Sequence, residues 1–489
     1  MSTGLDRTAG WVAQAVGGAL VPGGAVTADT VLAGPAVTDS RQAVAGSLFV
    51  AVDGEHADGH DYATSTAGPT GSVLVLASRP VEAPHVLVQD TVEALGALAR
   101  AHLADLRERA TGRGEPLTVV GITGSVGKTT TKDLTRQLLA TAGPTVAPRA
   151  SFNNEIGLPL TVLEADESTR YLVLEMGASG PGHIDYLTAI APLDLAAVLM
   201  VGHAHMGGFG SIDAVAHAKA ELVRGLRPTG VAVLNADDPR VASMADEAPG
   251  RVVTFSPTGA DGAQVRATDV VLDPAAHASF TLTIDGAGPV VATATGGASP
   301  VALPVHLALP GSHNVANALA AAAIALEAGL APEAVASALG GAGILSPHRM
   351  DVRLLDGDLL LVDDSYNANI DSMTAALAAL PALAGRRRRV VLVTEMLELG
   401  PTAAADHERV GELAVAAAAD LVIAVGQGAE PVAAVAREAG VRAVNLSDAA
   451  TALERLDSLV ADGDAVLVKG SNGSGAWRLA DHLKEVRGA

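Results

Sequence analysis

The run LTVVGITGSVGKTTTKDLTRQLL, residues 117–139, constrains this chain more than any other stretch of its 489 residues. A β-branched apolar segment leads directly into Gly124, Ser125, Val126, Gly127, Lys128, Thr129 and Thr130, and then into helix-compatible residues. Glycines there let backbone N–H groups close on phosphate oxygens at the positive end of the helix, which predicts a strand–loop–helix unit that binds phosphate. Lys128 is placed to reach the β- and γ-phosphates and Thr129 to meet magnesium. The strict Walker pattern has glycine where Ile122 stands, so the loop is a shortened variant. A unit of this kind belongs to a parallel sheet covered by helices on both faces.

The pattern around it agrees. Buried-type strands at Leu117–Ile122, Tyr171–Leu174, Leu195–Val201 and Gly230–Leu234 alternate with helical segments. Before them, residues 1–112 hold three short apolar runs and a long helical pattern from Thr91 to Arg109, read as a small α/β domain ending at the polar stretch TGRGEP. Between about 262 and 306 short alternating runs suggest an antiparallel appendage, after which Ser312 is expected to cap an Ala-rich helix. Alternation restarts beyond GAGILSPHRMD with strands at Leu359–Val362, Val390–Val393, Leu421–Val425 and Ala465–Val468. The expected fold is therefore α/β in three domains: a small α/β domain over 1–112, a central phosphate-loop domain over 113–346 and a Rossmann-like domain over 347–489, each with its own core.

Composition narrows the function. Five Phe, four Tyr and two Trp leave Ala, Val and Leu to build the cores. The most apolar long helix candidate carries Asn314, Asn317 and Glu327, so no membrane span is expected. The N-terminus lacks a basic region followed by an apolar one, so a cytoplasmic location is expected. A formal net charge of -22 argues against nucleic acid as a partner. Zero cysteines exclude disulfides, thiolate metal sites and Cys nucleophiles, so any metal is held by oxygen or imidazole. Only five of the 32 basic residues are lysine, at 128, 132, 219, 469 and 484. Where arginine fills nearly every cationic position, a retained lysine implies a compact charge or a modifiable amine.

Further strings carry chemistry. YLVLEMGASG places Glu175 at the carboxyl end of a parallel strand, where such folds gather ligands, and a magnesium ion on phosphates takes one or two such carboxylates; capping of the following turn is the other reading. His205, in VGHAHMGG, is balanced between metal or phosphate contact and simple solvation. Lys219, beside Glu221 on an Ala-rich helix, is a surface ion pair or a functional amine. Asn314 and Asn317 share a helix face, facing a nucleobase or capping the helix, and Arg349 sits at a domain joint from which it could reach a phosphate. LLLVDDSYNANIDSM puts Asp364, Ser365, Tyr366, Asn367 and Asn369 at the end of a strand, as a ligand loop would.

Together these strings resemble the Mur ligase superfamily over almost the whole chain. DSRQAVAGSLFVAVDGEHADGHDY at 39–62 is similar to the family's uridine-nucleotide-substrate domain, TGSVGKTTTKD to its ATP loop, and SFNNEIGLPLTVL to its post-loop segment. LPGSHNVANALAA and DDSYNANIDSM are similar to its adenine-side helix and to a third-domain loop of the branch that adds D-alanyl-D-alanine to UDP-N-acetylmuramoyl-tripeptide. The resemblance implies an ATP-dependent amide ligase of peptidoglycan synthesis, a monomer working through an acyl phosphate. Lys128, Thr129 and their loop would serve ATP, Glu175 a magnesium ion and His205 a second metal. Lys219 would be carried as a carbamate, and Asn314 would meet adenine. Arg349 would contact phosphate between domains, and Asp39, Ser40 and Arg41 would lie near the uridine nucleotide. Ile370 departs from the family's usual proline, VTEMLELG from LGDMLELG, and Asn472 from a frequent arginine. A sister ligase acting on another muramoyl precursor or on a folate, and a phosphate-loop switch that hydrolyses nucleotide to change partners, are the alternatives.

Overall fold

The computed structural model describes residues 4–54, 57–68, 70–149, 151–203, 206–286 and 300–488. Its centre is a nine-stranded sheet in the order Val301–Pro310, His277–Ile284, Val265–Leu272, Arg251–Ser256, Leu226–Asn235, Leu193–Val198, Thr118–Thr123, Tyr171–Glu175, Thr145–Val146. From Arg251–Ser256 to Thr145–Val146 every pairing is parallel, in keeping with the alternation, and Val265–Leu272 also joins Arg251–Ser256 in parallel, against the antiparallel expectation for 262–306. The two remaining strands pair antiparallel, but they extend the same sheet from Val265–Leu272, so the 262–306 region is its continuation and not an appendage. Sheet edges are costly when open, and continuing the ladder moves the edge away from the phosphate loop.

Two sheets flank it. The N-terminal one has five strands, ordered Ala19–Val21, His85–Leu87, Ser72–Ala77, Ser47–Val50, Ala36–Val37. The C-terminal one has six: Asp351–Leu355, Leu359–Asp364, Ala465–Lys469, Arg389–Thr394, Leu421–Val425, Arg442–Leu446. Only its first pairing is antiparallel.

The expectation of one core per domain needs correcting. Leu48, Val50, Leu74 and Leu76 of the N-terminal sheet belong to the same buried cluster as Leu158, Leu172 and Leu174 of the central region. The joint is the helix Thr91–Gly112, begun by Asp90, whose carboxylate accepts the backbone N–H of Val92 and Glu93. Its buried Leu95, Leu98, Leu103 and Leu106 recur at helical spacing and join the two sheets into one apolar body. The N-terminal sheet keeps only a small cluster of its own, around Phe49, Val37 and Val75.

The opposite face of the central sheet is closed by Asn314–Glu327 lying against Lys128–Ala140. Ala320 to Ala323 are fully buried there, and side chains this small let the helix approach closely. Ser312 does not cap this helix: His313 holds the N-cap position without a side-chain bond. The acceptor role that serine's hydroxyl would fill is taken by backbone carbonyls, Asn314 N–H donating to Gly311 O and Val315 N–H to Ser312 O. Among the described residues no helix is long and apolar enough to cross a membrane.

Candidate active site

The strand Thr118–Thr123 runs into the glycine loop and the helix Lys128–Ala140 follows it. Ile122 is fully buried inside the strand, paired with Glu175, so the turn starts after it and needs no glycine there. Gly127 has φ +85°, and a Cβ on it would stand 2.3 Å from Asn317 Oδ1; both facts require glycine. No side chain caps this helix, so its first N–H groups are left for a ligand. Ser125 braces the loop from behind, its hydroxyl accepting Gly202 N–H at 2.8 Å and donating to Gly202 O at 3.1 Å. Lys128 Nζ donates to Gly124 O at 2.8 Å. Burial lowers the Lys128 pKa, opposed by the nearby Glu175 carboxylate.

Parallel pairing delivers Glu175 to the same end of the sheet, where only 1% of it is exposed. Its carboxylate accepts Thr129 Oγ1 at 2.9 Å and Asn153 Nδ2 at 2.8 Å, so it faces the loop instead of capping the next turn. Thr129 Oγ1 also meets Ser151 Oγ at 2.9 Å and accepts from the Arg349 guanidinium at 3.1 Å. Arg349 donates to Ser151 Oγ as well and stacks on Tyr366, 4.2 Å from the ring centroid. Its buried Nε has no partner among the described residues. A hydroxyl and a carboxylate side by side are the hard oxygen donors that suit magnesium, so these residues fit that ion.

Lys219 is not a surface ion pair. It is 4% exposed on the helix Ile212–Arg224, and no acceptor for its Nζ is found among the described residues. Burial pushes its pKa well below the ordinary lysine value, and the charge of Lys128 adds to the shift. Glu221 turns elsewhere, accepting Gly182 N–H and Asp185 N–H at the start of the helix His183–Ile190. His205 lies outside the described residues.

From the C-terminal sheet, the loop after Leu359–Asp364 faces the glycine loop. Lys469 Nζ is 2.5 Å from Asp364 Oδ2 and donates to Asn367 O at 3.0 Å, which pins the loop's shape. Asn369 caps the helix Ile370–Ala384 in a reciprocal pair with Ser372, and its Nδ2 lies 3.5 Å from Ser125 O. Ile370 takes the first helical position, where proline is favoured because its missing N–H costs nothing and its fixed φ suits the helix; isoleucine can occupy it too. Ser365 points away, bonded to Asp363 and His348. Asp371 Oδ2 accepts His203 N–H at 2.8 Å, a second tie to the central region. His348 and Met350, in the connecting segment, have φ of 60° and 50°, an irregular backbone that turns the chain between the sheets.

All of this encloses one cleft of about 810 Å³. Ser125 to Thr130, Glu175, Asn314, Arg349, Asp364, Tyr366, Asn367 and Asn369 line it; Lys219 and Ser365 are not part of the lining. Asp39, Ser40 and Arg41 do not reach it: they form a surface turn in which Asp39 accepts the Arg41 guanidinium and backbone N–H. Those bonds hold the Asp39 carboxyl down at about 2. Asn314 is 2% exposed, with its amide on Pro310 O and its carbonyl on Asn317. Ser151, Asn153 and His313 also line the cleft, and SFNNEIGLPLTVL and LPGSHNVANALAA carry them without a spacing rule that would single them out; Lys469, marked only by lysine usage, lines it too.

The description "Mur ligase middle domain" matches residues 122–325, and "Mur ligase, glutamate ligase domain" matches residues 348–472. The chain is 40% identical, over 98% of both sequences, to the UDP-N-acetylmuramoyl-tripeptide--D-alanyl-D-alanine ligase of Mycobacterium leprae (strain TN). A crystal structure of MurF from Acinetobacter baumannii is 30% identical with a TM-score of 0.81, covering 98% of this chain and 99% of that one. The MurF ligase from Thermotoga maritima in complex with ADP is 27% identical with a TM-score of 0.72, over 92% of this chain and 97% of that one.

Proposed function

From the premise that the chain belongs to the Mur ligase family, we propose how its cleft joins D-alanyl-D-alanine to UDP-N-acetylmuramoyl-tripeptide. It is an ATP-dependent ligase of peptidoglycan synthesis. The observation that carries the mechanism is one cleft lined by the uncapped helix start, by Glu175 and by the Asp364–Asn369 loop of another sheet. A nucleotide held on the first and an acceptor held on the last would meet end to end.

A carboxylate resists attack by an amine until one oxygen becomes a good leaving group. The tripeptide's carboxylate therefore takes the γ-phosphoryl of ATP: an O–P bond forms, the bond to ADP breaks, and an acyl phosphate results. The dipeptide's amine attacks the acyl carbon, phosphate leaves from the tetrahedral intermediate, and the nitrogen gives up a proton. Lys128 and the loop N–H groups orient the phosphates, and Arg349 supplies positive charge from the joint. No side-chain nucleophile is needed.

Magnesium would be held by Thr129 and Glu175, with His205 and Lys219 serving a second ion, and it would supply charge neutralisation at the phosphates. The lowered pKa and the missing partner support a carbamate on Lys219: the neutral amine adds CO₂ and loses a proton, so a buried cation becomes an anionic oxygen ligand. Residues 1–112 would take the uridine-nucleotide end, with Asp39, Ser40 and Arg41 near it, residues 113–346 ATP beside Asn314, and residues 347–489 the dipeptide. A monomer in the cytoplasm, with no nucleic-acid partner, completes the reading.

The test is purified protein with ATP, Mg²⁺, each UDP-muramoyl peptide in turn and D-alanyl-D-alanine, with mass analysis of the product. ADP release only when both co-substrates are present is the expected result. Steady ATP turnover without the acceptor would replace this reading with that of a nucleotide switch.

A further inference from the structure

Outside the lining of the cleft just described, the strand alternation of the central sheet brings two imidazoles onto one outward face. His277 and Ser279 lie on His277–Ile284, and His306 lies on Val301–Pro310 directly opposite Ser279. Between them the buried Ala278, Phe280, Val305 and Leu307 point the other way, into the core. The register shifts between His277 and Ser279, where the pairing partners change from Pro310 to His306. The rings end 6.1 Å apart, centroid to centroid, at 71°.

Asp273 completes the group from the turn that precedes His277. Its Oδ1 accepts the N–H of Ala275 at 2.9 Å and of His277 at 2.8 Å, which aims Oδ2 at His277 Nδ1, 3.3 Å away. Among the described residues no lysine or arginine pairs with this carboxylate. One ligand atom from each of Asp273, His277 and His306 lies within 4.8 Å of the other two. Ligands about 2.1 Å from a tetrahedral ion stand roughly 3.4 Å apart, so the Asp273–His277 pair already has that spacing and only the His306 ring has to close in. Ser279 Oγ anchors that ring through Nδ1 at 2.9 Å, the kind of outer partner that fixes a metal-binding imidazole.

We propose that Asp273, His277 and His306 form a binding site for one divalent transition-metal ion, of the zinc class. Two imidazoles and one carboxylate select borderline ions over magnesium or calcium, and solvent completes the coordination, since Asp273 and His277 are half-buried and His306 is exposed. Among the described residues a second such group, with one imidazole and two carboxylates from His348, Asp363 and Asp481, differs in a telling way. Lys484 Nζ stands 2.6 Å from Asp363 there, so a cation already holds the place. An ion at Asp273 would tie its turn to the edge strand, and Ala276 of the same turn belongs to the buried cluster of the C-terminal sheet. The site is independent of the ligase reading.

The experiment uses untagged full-length protein, stripped with a chelator and dialysed against buffered micromolar Zn²⁺ without nucleotide. Bound zinc is counted by elemental mass analysis. The wild type is expected to hold one equivalent more than His306→Ala and His277→Ala. Ser279→Ala is expected to need about tenfold more free zinc for the same loading. Circular dichroism of the exposed-site variant His306→Ala checks that it is folded, and Co²⁺ in place of Zn²⁺ gives a visible absorption band only in the wild type. Equal zinc in wild type and both histidine variants, or a difference only at millimolar zinc, overturns the proposal.

Discussion

Two loops of this molecule are built alike and end differently. After Thr118–Thr123 and after Leu359–Asp364, a parallel strand delivers a polar turn to the carboxyl edge of its sheet and a helix begins. In the first, Gly127 precedes the helix and no side chain touches the free N–H groups. In the second, Asn369 and Ser372 cap the helix reciprocally, the N-cap Oδ1 accepting Ser372 N–H at 2.9 Å. An uncapped start keeps donors and a positive dipole available to an anion, whereas a capped start uses some of them internally. The same supersecondary unit thus makes a phosphate cradle in one place and, with Lys469 holding Asp364, a shaped polar wall in the other.

The sharpest way to break this contrast is Lys128→Ala, which should reduce turnover by at least about 10²–10³-fold, the cost of removing one preorganised donor. Product formation at wild-type rate would detach the first loop from the chemistry. Next, Lys219→Ala should lower turnover by roughly 10²-fold. Added short-chain carboxylates should restore part of it, as followed by ADP release across a formate or acetate series. An inert carboxylate series would leave the amine itself, not a carbamate, as the functional group.

Arg349→Lys keeps the charge and loses the fork that reaches Thr129 and Ser151 together, so kcat/KM should drop about tenfold, or about 1.4 kcal/mol. Asn369→Ala removes the cap and should cost about 1 kcal/mol in denaturant unfolding while leaving nucleotide affinity in place. Equal loss of nucleotide binding would mean the two helix starts act as one site.

The smallest effect concerns pH. The hydrogen bond to Asp363 raises His348 above its ordinary value, with Asp481 adding and both burial and Lys484 opposing. A raised folded value means that the stabilisation is complete below the unfolded histidine pKa, near 6.5, and disappears as pH rises through the folded value. His348→Asn should flatten this dependence, a change of under about 1 kcal/mol between pH 6 and 9 in thermal or denaturant melts.

The glycine loop was legible because its residues interact with their immediate neighbours: backbone freedom at Gly127 and a strand that becomes a helix are local properties. Most strands buried on both faces were equally plain, although Arg251–Ser256, inside the parallel run, has no clear signal of its own. The weak strands Ala36–Val37, Thr145–Val146 and Arg442–Leu446 were not seen, since each is short or poorly apolar and exists by pairing with a stronger neighbour. Two pairings in the 262–306 region are antiparallel, as its alternation suggests, yet nothing local says that Val265 pairs parallel with Phe255 and continues the sheet. Ser312 has the chemistry of a cap, and backbone turns superseded it.

Lysine usage shows the same division. That arginine had displaced all but five lysines marked those five as constrained, and none is exposed in the fold. Their separate duties were decided by packing. Lys132 is enclosed against Asp133 and Pro148 O, Lys469 pins a loop, Lys484 serves Asp363, and Lys219 is left without an acceptor among the described residues. By itself the sequence determined the order of elements, the phosphate loop and the residue types at the strand ends, because periodicity and turn chemistry act over a few residues. Tertiary structure alone decided that Arg349 reaches Thr129 across 220 positions and that the N-terminal and central regions share one core. Such contacts depend on how whole sheets and helices pack, and no short-range pattern encodes that.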